Sequence, residues 1–382
     1  LGNGALQANT TADGNTGVGH NALALNTTGT ENVAVGWYSL DANTTANNNT
    51  AIGAAAMGTN TTGANNVGVG YHALYANTTA SDCVAIGKNA LVANTTGYNN
   101  TAVGKGAGSG ITTGGDNVSV GFNTMLAAVT GNENTAVGND SLKALTSGAS
   151  NTAAGANALG ANTTGANNTA VGKDVLLSNT TGASNTAVGY YALGGNTTAS
   201  YNTAVGRQAL QANTTGGENV AVGYGAMYLN TTASNNTAVG KTALYHTTTG
   251  ANNTALGRGT LEANTTGSSN TATGYYALTA NTTGTSNVAV GNNALDACTT
   301  SVSNVAVGNG AGGAVTTGNG ENVFVGNNAG AGVTTGQQNI ILGDNACANG
   351  TMTGNLNVII GDNAGLVNTT GANNVGVGGA AL

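Results

Sequence analysis

The side chains able to do chemistry are few and evenly scattered. Three histidines (His20, His72, His246) and three cysteines (Cys83, Cys298, Cys347) stand in a chain of 382 residues that carries 7 Lys+Arg against 14 Asp+Glu. No Ser/His/Asp, Cys/His or paired-carboxylate constellation recurs at the spacing that nucleophilic or acid–base catalysis needs. No enzyme is expected, and no cofactor or metal. What does recur is Asn-Thr-Thr, at Asn9, Asn26, Asn43, Asn60, Asn77, Asn94, Asn162, Asn179, Asn196, Asn213, Asn230, Asn264, Asn281 and Asn368. Each triplet reads as an Asn-x-Thr acceptor for N-glycosylation. Two readings are open: a row of glycans that solubilises a weakly charged surface, or turn residues tolerating left-handed backbone with stacked threonines behind them. A second recurrent set combines Trp37, Tyr38, Tyr71, Tyr190, Tyr191, Tyr224, Tyr275 and Tyr276 with Arg207 and Lys241, all just past a repeated glycine. Aromatic faces and cations in one stripe suit contact with a sugar or a surface; a solvated edge of drifting composition is the plainer alternative.

Both sets owe their spacing to a repeat. The glycine of segments such as Asn32-Val33-Ala34-Val35-Gly36 returns every 17 residues from Gly2 to Gly308, then at Gly326, Gly343, Gly361 and Gly378, steps of 18, 17, 18 and 17. With that glycine as position 0, the consensus is Asn(−4), Thr/Val(−3), Ala(−2), Val/Ile(−1), Gly(0), two variable residues, Ala(+3), Leu(+4), x, Ala(+6), Asn(+7), Thr(+8), Thr(+9), Gly/Ala(+10). Alternating β-branched residues and two corners per repeat favour strand over helix. The sequence therefore predicts an all-β fold, a parallel β-solenoid with one coil per 17-residue repeat. About 22 coils stacked at about 4.8 Å would make a rod of roughly 105 Å. The array is one continuous domain over 1–382, regular over 1–308 and altered in cross-section over 309–382, and it reads as a piece of a longer chain.

Asn at −4 fills 21 of 22 coils, Cys83 being the exception; Asn32, Asn66, Asn100, Asn134, Asn168, Asn202, Asn236, Asn270 and Asn304 typify a stacked amide ladder at a buried corner. Positions −3, −1 and +4 are expected inside, with Val18, Val35, Ile52, Val69 and Ile86 beside Leu23, Leu40, Met57, Leu74 and Leu91. The small −2 column would then face outward as a close seam between chains, around Ala204 and Ala221, favouring a homo-oligomer, most simply a trimer. Coils at Gly104, Gly308 and Gly326 replace Leu(+4) by Gly108, Gly312 and Gly330 and Asn(+7) by Ile111, Val315 and Val333, while −2 enlarges to Phe324, Ile341 and Ile359. Volume lost at one place returns at another.

Composition excludes other classes. The absence of proline rules out collagen. A net charge of −7 leaves no basic surface for nucleic acid, and no apolar run is long enough for a membrane-spanning helix. The three cysteines fall in different columns, Cys83 and Cys298 more than twelve coils apart, and so read as substitutions in the repeat. The Asn-Val-Ala-Val-Gly-x-x-Ala core, at Asn219 to Ala226 and Asn287 to Ala294, resembles the head repeats of trimeric autotransporter adhesins and the shaft repeats of bacteriophage tail fibres. That resemblance implies a trimeric left-handed parallel β-roll that contacts a cell surface and transfers no catalytic residue. The expected function is a structural and adhesive extracellular fibre whose partners are copies of itself and a cell-surface or glycan receptor. A phage tail-fibre shaft is the alternative, and ice binding through the Thr columns a lower one.

Overall fold

The computed structural model describes residues 2–382, and among them there is no helix. The chain is an all-β parallel solenoid with one three-residue strand in each coil, and it divides into two compact units, Leu1–Tyr190 and Tyr191–Leu382. The first unit holds eleven strands from Thr16–Val18 to Thr186–Val188, and the second holds eleven from Thr203–Val205 to Val375–Val377. Within each unit consecutive strands pair in parallel and in register, as in Thr16↔Val33 and Thr203↔Val220. The 18-residue step does not disturb this: Val305 pairs with Val323, Ala306 with Phe324 and Val307 with Val325.

Three residues of strand per coil cannot satisfy 17 residues of backbone, so the turns form ladders too. Val33 N–H donates forward to Asn49 O at 2.8 Å, and Gly36 N–H donates back to Val18 O at 2.8 Å. Past the corner, Tyr38 N–H reaches back to His20 O at 2.9 Å and Leu40 N–H reaches forward to Ala56 O at 3.1 Å. These amides find their partners one coil away, and others close turns within the coil, as Asn43 N–H does on Leu40 O at 3.2 Å, which answers the demand that buried backbone groups be paired. At the corner glycine this stacking leaves no room for a side chain: a Cβ on Gly53 (φ 133) would lie 2.6 Å from the Gly70 carbonyl oxygen. Leucine at +4 adopts left-handed backbone, with φ of 53 at Leu23, 49 at Leu40 and 50 at Leu91. That conformation costs on the order of 1–3 kcal/mol at a bulky residue. Complete burial of the Leu side chain and the forward hydrogen bond offset it, as at Leu23, Leu40 and Leu91.

The expected phase of the strand is reversed. Val18, Ile52 and Ile86 are 43 %, 42 % and 41 % exposed, whereas the −2 residues Ala34, Ala51, Ala85, Ala204 and Ala221 are fully buried. The −3 and −1 columns therefore face outward and −2 faces inward, and there is no −2 seam for a second chain to occupy. Alternation is as the pleat requires, but a one-residue change of phase moves every side chain to the other face. The reason for the phase is volume. A Cβ added to Gly68 would stand 2.9 Å from Met57 Cγ, and one added to Gly17 would stand 3.0 Å from Leu6 Cγ. The −2 residue thus meets the large +4 residue of the preceding coil, and only a small side chain fits there. Where +4 is glycine the relation inverts. Phe324 is fully buried, and Cβ atoms on Gly312 would come within 2.8 Å of its ring and of Leu295 Cδ2. Ile111, at +7 of a coil whose +4 is Gly108, turns inward in the same way and bridges Val129 in parallel.

Candidate functional site

The Asn-Thr-Thr column lies inside the coil, and its reading as a row of glycan acceptors fails on that ground. Asn26, Asn43, Asn60, Asn77, Asn94, Asn162, Asn179, Asn196, Asn213, Asn230, Asn264 and Asn281 are fully buried, and Asn9 and Asn368 are half-buried. Except at Asn368, whose Nδ2 is buried without a partner, their Nδ2 atoms, which a glycan would need, are donors in the interior. Asn43 Nδ2 donates to Asn26 Oδ1 at 2.8 Å and to Ala46 O at 3.1 Å. Asn77 Nδ2 donates to Asn60 Oδ1 at 2.7 Å and to Ala80 O at 3.0 Å. The following Thr is committed as well, Thr61 Oγ1 donating to Thr78 O at 2.9 Å and Thr214 Oγ1 to Thr231 O at 2.9 Å.

The −4 asparagines form a second ladder that meets the first. Asn49 N–H donates to Asn32 Oδ1 at 2.9 Å, and Asn32 Nδ2 donates to Ala46 O at 2.8 Å, the same carbonyl that Asn43 caps. One corner carbonyl therefore takes two side-chain amides. Asn66, Asn100, Asn134, Asn168, Asn202, Asn236, Asn270 and Asn304 are buried in the same way. Cys83 substitutes chemically as well as sterically: its thiol donates to Gly97 O at 3.3 Å, and its own N–H donates to Asn66 Oδ1 at 2.9 Å. Burial pushes the thiols of Cys83, Cys298 and Cys347 up to about 11, so all three are neutral and poorly nucleophilic near pH 7. All three are free thiols.

The +7 ladder loses a donor where its asparagine is replaced, although Asn264 Nδ2 still reaches back to Thr247 Oγ1 at 3.4 Å. Asn94, Asn230 and Asn281 precede Ile111, Thr247 and Cys298, and in each the Oδ1 is buried without a partner. This shows that the amides are there for one another.

The aromatic and cationic residues of +1 and +2 are at the surface. In the first unit Trp37 and Tyr71 are 58 % and 49 % exposed, Lys88 Nζ stands 5.7 Å from the Tyr71 ring centre, and Lys105 Nζ stands 5.4 Å from that of Phe122. Tyr190 is exposed there too. In the second unit Tyr224 lies between two cations, Arg207 at 5.7 Å and Lys241 at 5.9 Å, and Arg258 lies 5.6 Å from Tyr275 and 5.8 Å from Tyr276. Tyr38, Tyr191 and Tyr276 at +2 are half-buried. Stacking of rings and cations on successive coils gives each unit a run of such surface, Tyr71 to Phe122 in the first and Arg207 to Tyr276 in the second, each contact contributing about 0.5–1 kcal/mol at exposed sites. Position +5, which sequence reasoning passed over, joins it: His72 stacks on Tyr75 at 4.6 Å, and Tyr228 stacks on Tyr245 at 5.0 Å. The signal was the recurrence of Tyr three residues past the variable pair.

The histidines serve the same surface separately. His20 meets Tyr38 edge-on, His72 stacks between Tyr71 and Tyr75, and His246 packs on Tyr245. Among the described residues no group of three His, Cys, Asp or Glu could hold a metal ion. No protein-family model matches the chain, and no curated protein matches it in sequence.

Proposed function

We propose that the chain is a structural element of an extracellular fibre, assembled from copies of itself through the outward face of the sheet and touching its surroundings through the corner stripe. The observation that carries this reading is the outward −3/−1 face. In all 22 coils its two columns hold only Thr, Val, Ile, Leu or Ala, without one charged residue. Val171 and Val188 in the first unit are 39 % and 36 % exposed, and Val205, Val290, Val307 and Val325 in the second are 37–41 % exposed. Within each unit a face of aliphatic side chains and threonines, uncharged and renewed on every coil, is the kind of exposed patch that marks an interaction site. A second copy with the same 17-residue period is the partner whose side chains match it along every coil.

The interior supports a structural role as well. Leucines, alanines and two amide ladders fill each coil, and the chemistry-bearing side chains stand singly along it. Among the described residues no helix is long and apolar enough to cross a membrane. The test is native mass measurement on the parent and on Val205→Asp. The parent should be oligomeric and the variant should dissociate while keeping its β-sheet circular dichroism. A monomeric parent would sink the reading. Ice is the competing occupant of this face, but its hydroxyl column is interrupted at Val33, Val67, Val84 and Val118; thermal hysteresis of the parent would favour ice over self-assembly.

A further inference from the structure

One coil of the first unit lacks the side chains that its neighbours carry on the corner surface. Successive coils read Trp37, Ala54, Tyr71 at +1, Tyr38, Ala55, His72 at +2, and Asp41, Gly58, Tyr75 at +5. At these three positions the middle coil contributes only two methyl groups and a backbone, with the Thr59 hydroxyl beside them, and the coils on either side contribute rings. A cleft of about 370 Å³ results, with Ala55 and Gly58 as its floor and Trp37, Tyr38, Asp41, Thr59, His72 and Tyr75 around it. One wall is formed by His72 and Tyr75, whose rings stack 4.6 Å apart at 27°, and Tyr71, stacked on His72 at 3.9 Å and 17°, backs it from outside the cleft. The other is the edge-to-face pair Trp37 and Tyr38, 4.5 Å apart.

We propose that this cleft binds a saccharide, one pyranose ring entering between the two aromatic walls with its hydroxyls on Asp41 and Thr59. The inference deepens the contact role proposed for the corner stripe, but it requires only one chain. The walls rise from coils two apart, about 9.6 Å at about 4.8 Å per coil, and the Tyr75 ring leans over the floor, 3.3 Å from where a Cβ on Gly58 would stand. The volume of about 370 Å³ is at the small end of ligand sites and admits one hydroxyl-bearing pyranose ring. The polar groups are acceptors: the Asp41 carboxylate takes part in neither of the ion pairs of the described residues, and Thr59 Oγ1, donating to Tyr75 O at 2.6 Å, keeps its lone pairs for a ligand hydroxyl. Few polar groups on an apolar floor and walls are what orient a small ligand in a concave site. A trimethylammonium ion is the other guest of aromatic rings beside a carboxylate, but it calls for faces on three sides, and here there are two walls and a floor.

Trp37 is the only tryptophan, so its emission reports on this cleft in the intact chain. Methyl α-mannoside, methyl β-galactoside, chitotriose and choline chloride are titrated separately, and affinities are taken by calorimetry. At least one saccharide should give a saturable change in emission. Ala55→Tyr should weaken its binding at least about tenfold by filling the cleft. That variant keeps the fold, because Tyr38, Tyr191 and Tyr276 occupy the same position at φ 53, 57 and 55, against 52 for Ala55. Asp41→Asn should weaken binding about three- to tenfold through the lost charged acceptor. No response to any saccharide, binding unchanged in Ala55→Tyr, or saturation by choline alone each overturns the proposal. Saccharide binding by a chain that proves monomeric would refute the self-assembling fibre and leave this site standing.

Discussion

Replacing a buried +7 asparagine should cost different amounts at two positions that look alike in sequence. Asn60 Nδ2 donates to Asn43 Oδ1 at 3.2 Å and to Gly63 O at 2.9 Å, and Asn60 Oδ1 accepts from Asn77 Nδ2 at 2.7 Å. Asn60→Ala leaves Asn43 Oδ1 without a donor and takes one acceptor from Asn77 Nδ2. At about 1–3 kcal/mol for each buried group left unsatisfied, the loss is about 2–6 kcal/mol. Asn94 differs because Ile111 follows it. Its Oδ1 is already unpartnered, its bond to Asn77 Oδ1 is stretched to 3.5 Å, and Gly97 O keeps the Cys83 thiol when Asn94 is gone. Asn94→Ala should therefore cost about 1–3 kcal/mol less than Asn60→Ala. Repeat arrays do not melt as one two-state unit, so the assay is local: hydrogen exchange at the Thr61 amide, bonded to Thr78 O at 3.0 Å, and at the Thr95 amide, bonded to Thr112 O at 2.9 Å. Protection should fall at least about fivefold further in the Asn60 variant. Equal losses in the two variants would refute the ladder as the source of the energy, and protection unchanged in both would return the column to the surface.

Neighbouring residues on one strand should separate folding from assembly: Ala204→Glu puts a carboxylate into the interior and unfolds its coil, whereas Val205→Asp, 37 % exposed in the parent, leaves the coil intact and abolishes association as read by sedimentation. Phe324→Ala opens a cavity that Gly312 and Gly330 cannot fill, with an expected loss of about 3–5 kcal/mol by hydrogen exchange in that coil; a loss under about 1 kcal/mol would contradict the volume exchange. Because burial raises the three thiols above the unfolded value of 9.0 to about 11, their contribution to stability is complete below pH 9 and is lost as pH rises toward 11. They should resist thiol reagents at pH 8 until urea unfolds the chain, and rapid labelling of the native protein would contradict their burial. Peptides spanning Asn162 and Asn179, from protein of the native source, should carry no glycan by mass spectrometry.

The architecture was legible because it is written in translation: a glycine that returns every 17 residues and a −4 column of asparagines specify one coil per repeat without reference to any distant contact. The inside and outside of the strand were not read correctly, because hydrophobicity alone ranks Val above Ala. The decisive quantity was the volume of a pair, −2 against the preceding +4, and the sequence did contain it. Phe324 occurs where Gly312 and Gly330 make room, so −2 and +4 share one interior. The +7 column held a similar clue, since Ile111, Leu145, Val315 and Val333 stand in for asparagine there. An apolar residue that replaces an amide without disturbing the repeat marks a buried position. The cleft was less accessible: it depends on three small residues of one coil coinciding in columns that only the folded turn brings together.

The in-register pairing of Val305 with Val323 across an 18-residue step carries a consequence for inheritance. The additional residue falls at the corner around Gly318 and Gly320, and Asn322 still takes up Asn304 Oδ1 at 3.0 Å. A gene built of such units tolerates unequal crossing-over. Misaligned copies that recombine add or delete whole coils, every new neighbour presenting the same donors and acceptors as the old, and a single-codon insertion survives if it lands in a corner. A frameless slip inside Asn-x-Ala-x-Gly does not, because it turns the strand inside out. Coil number can therefore change without altering the backbone ladder by which one coil meets the next.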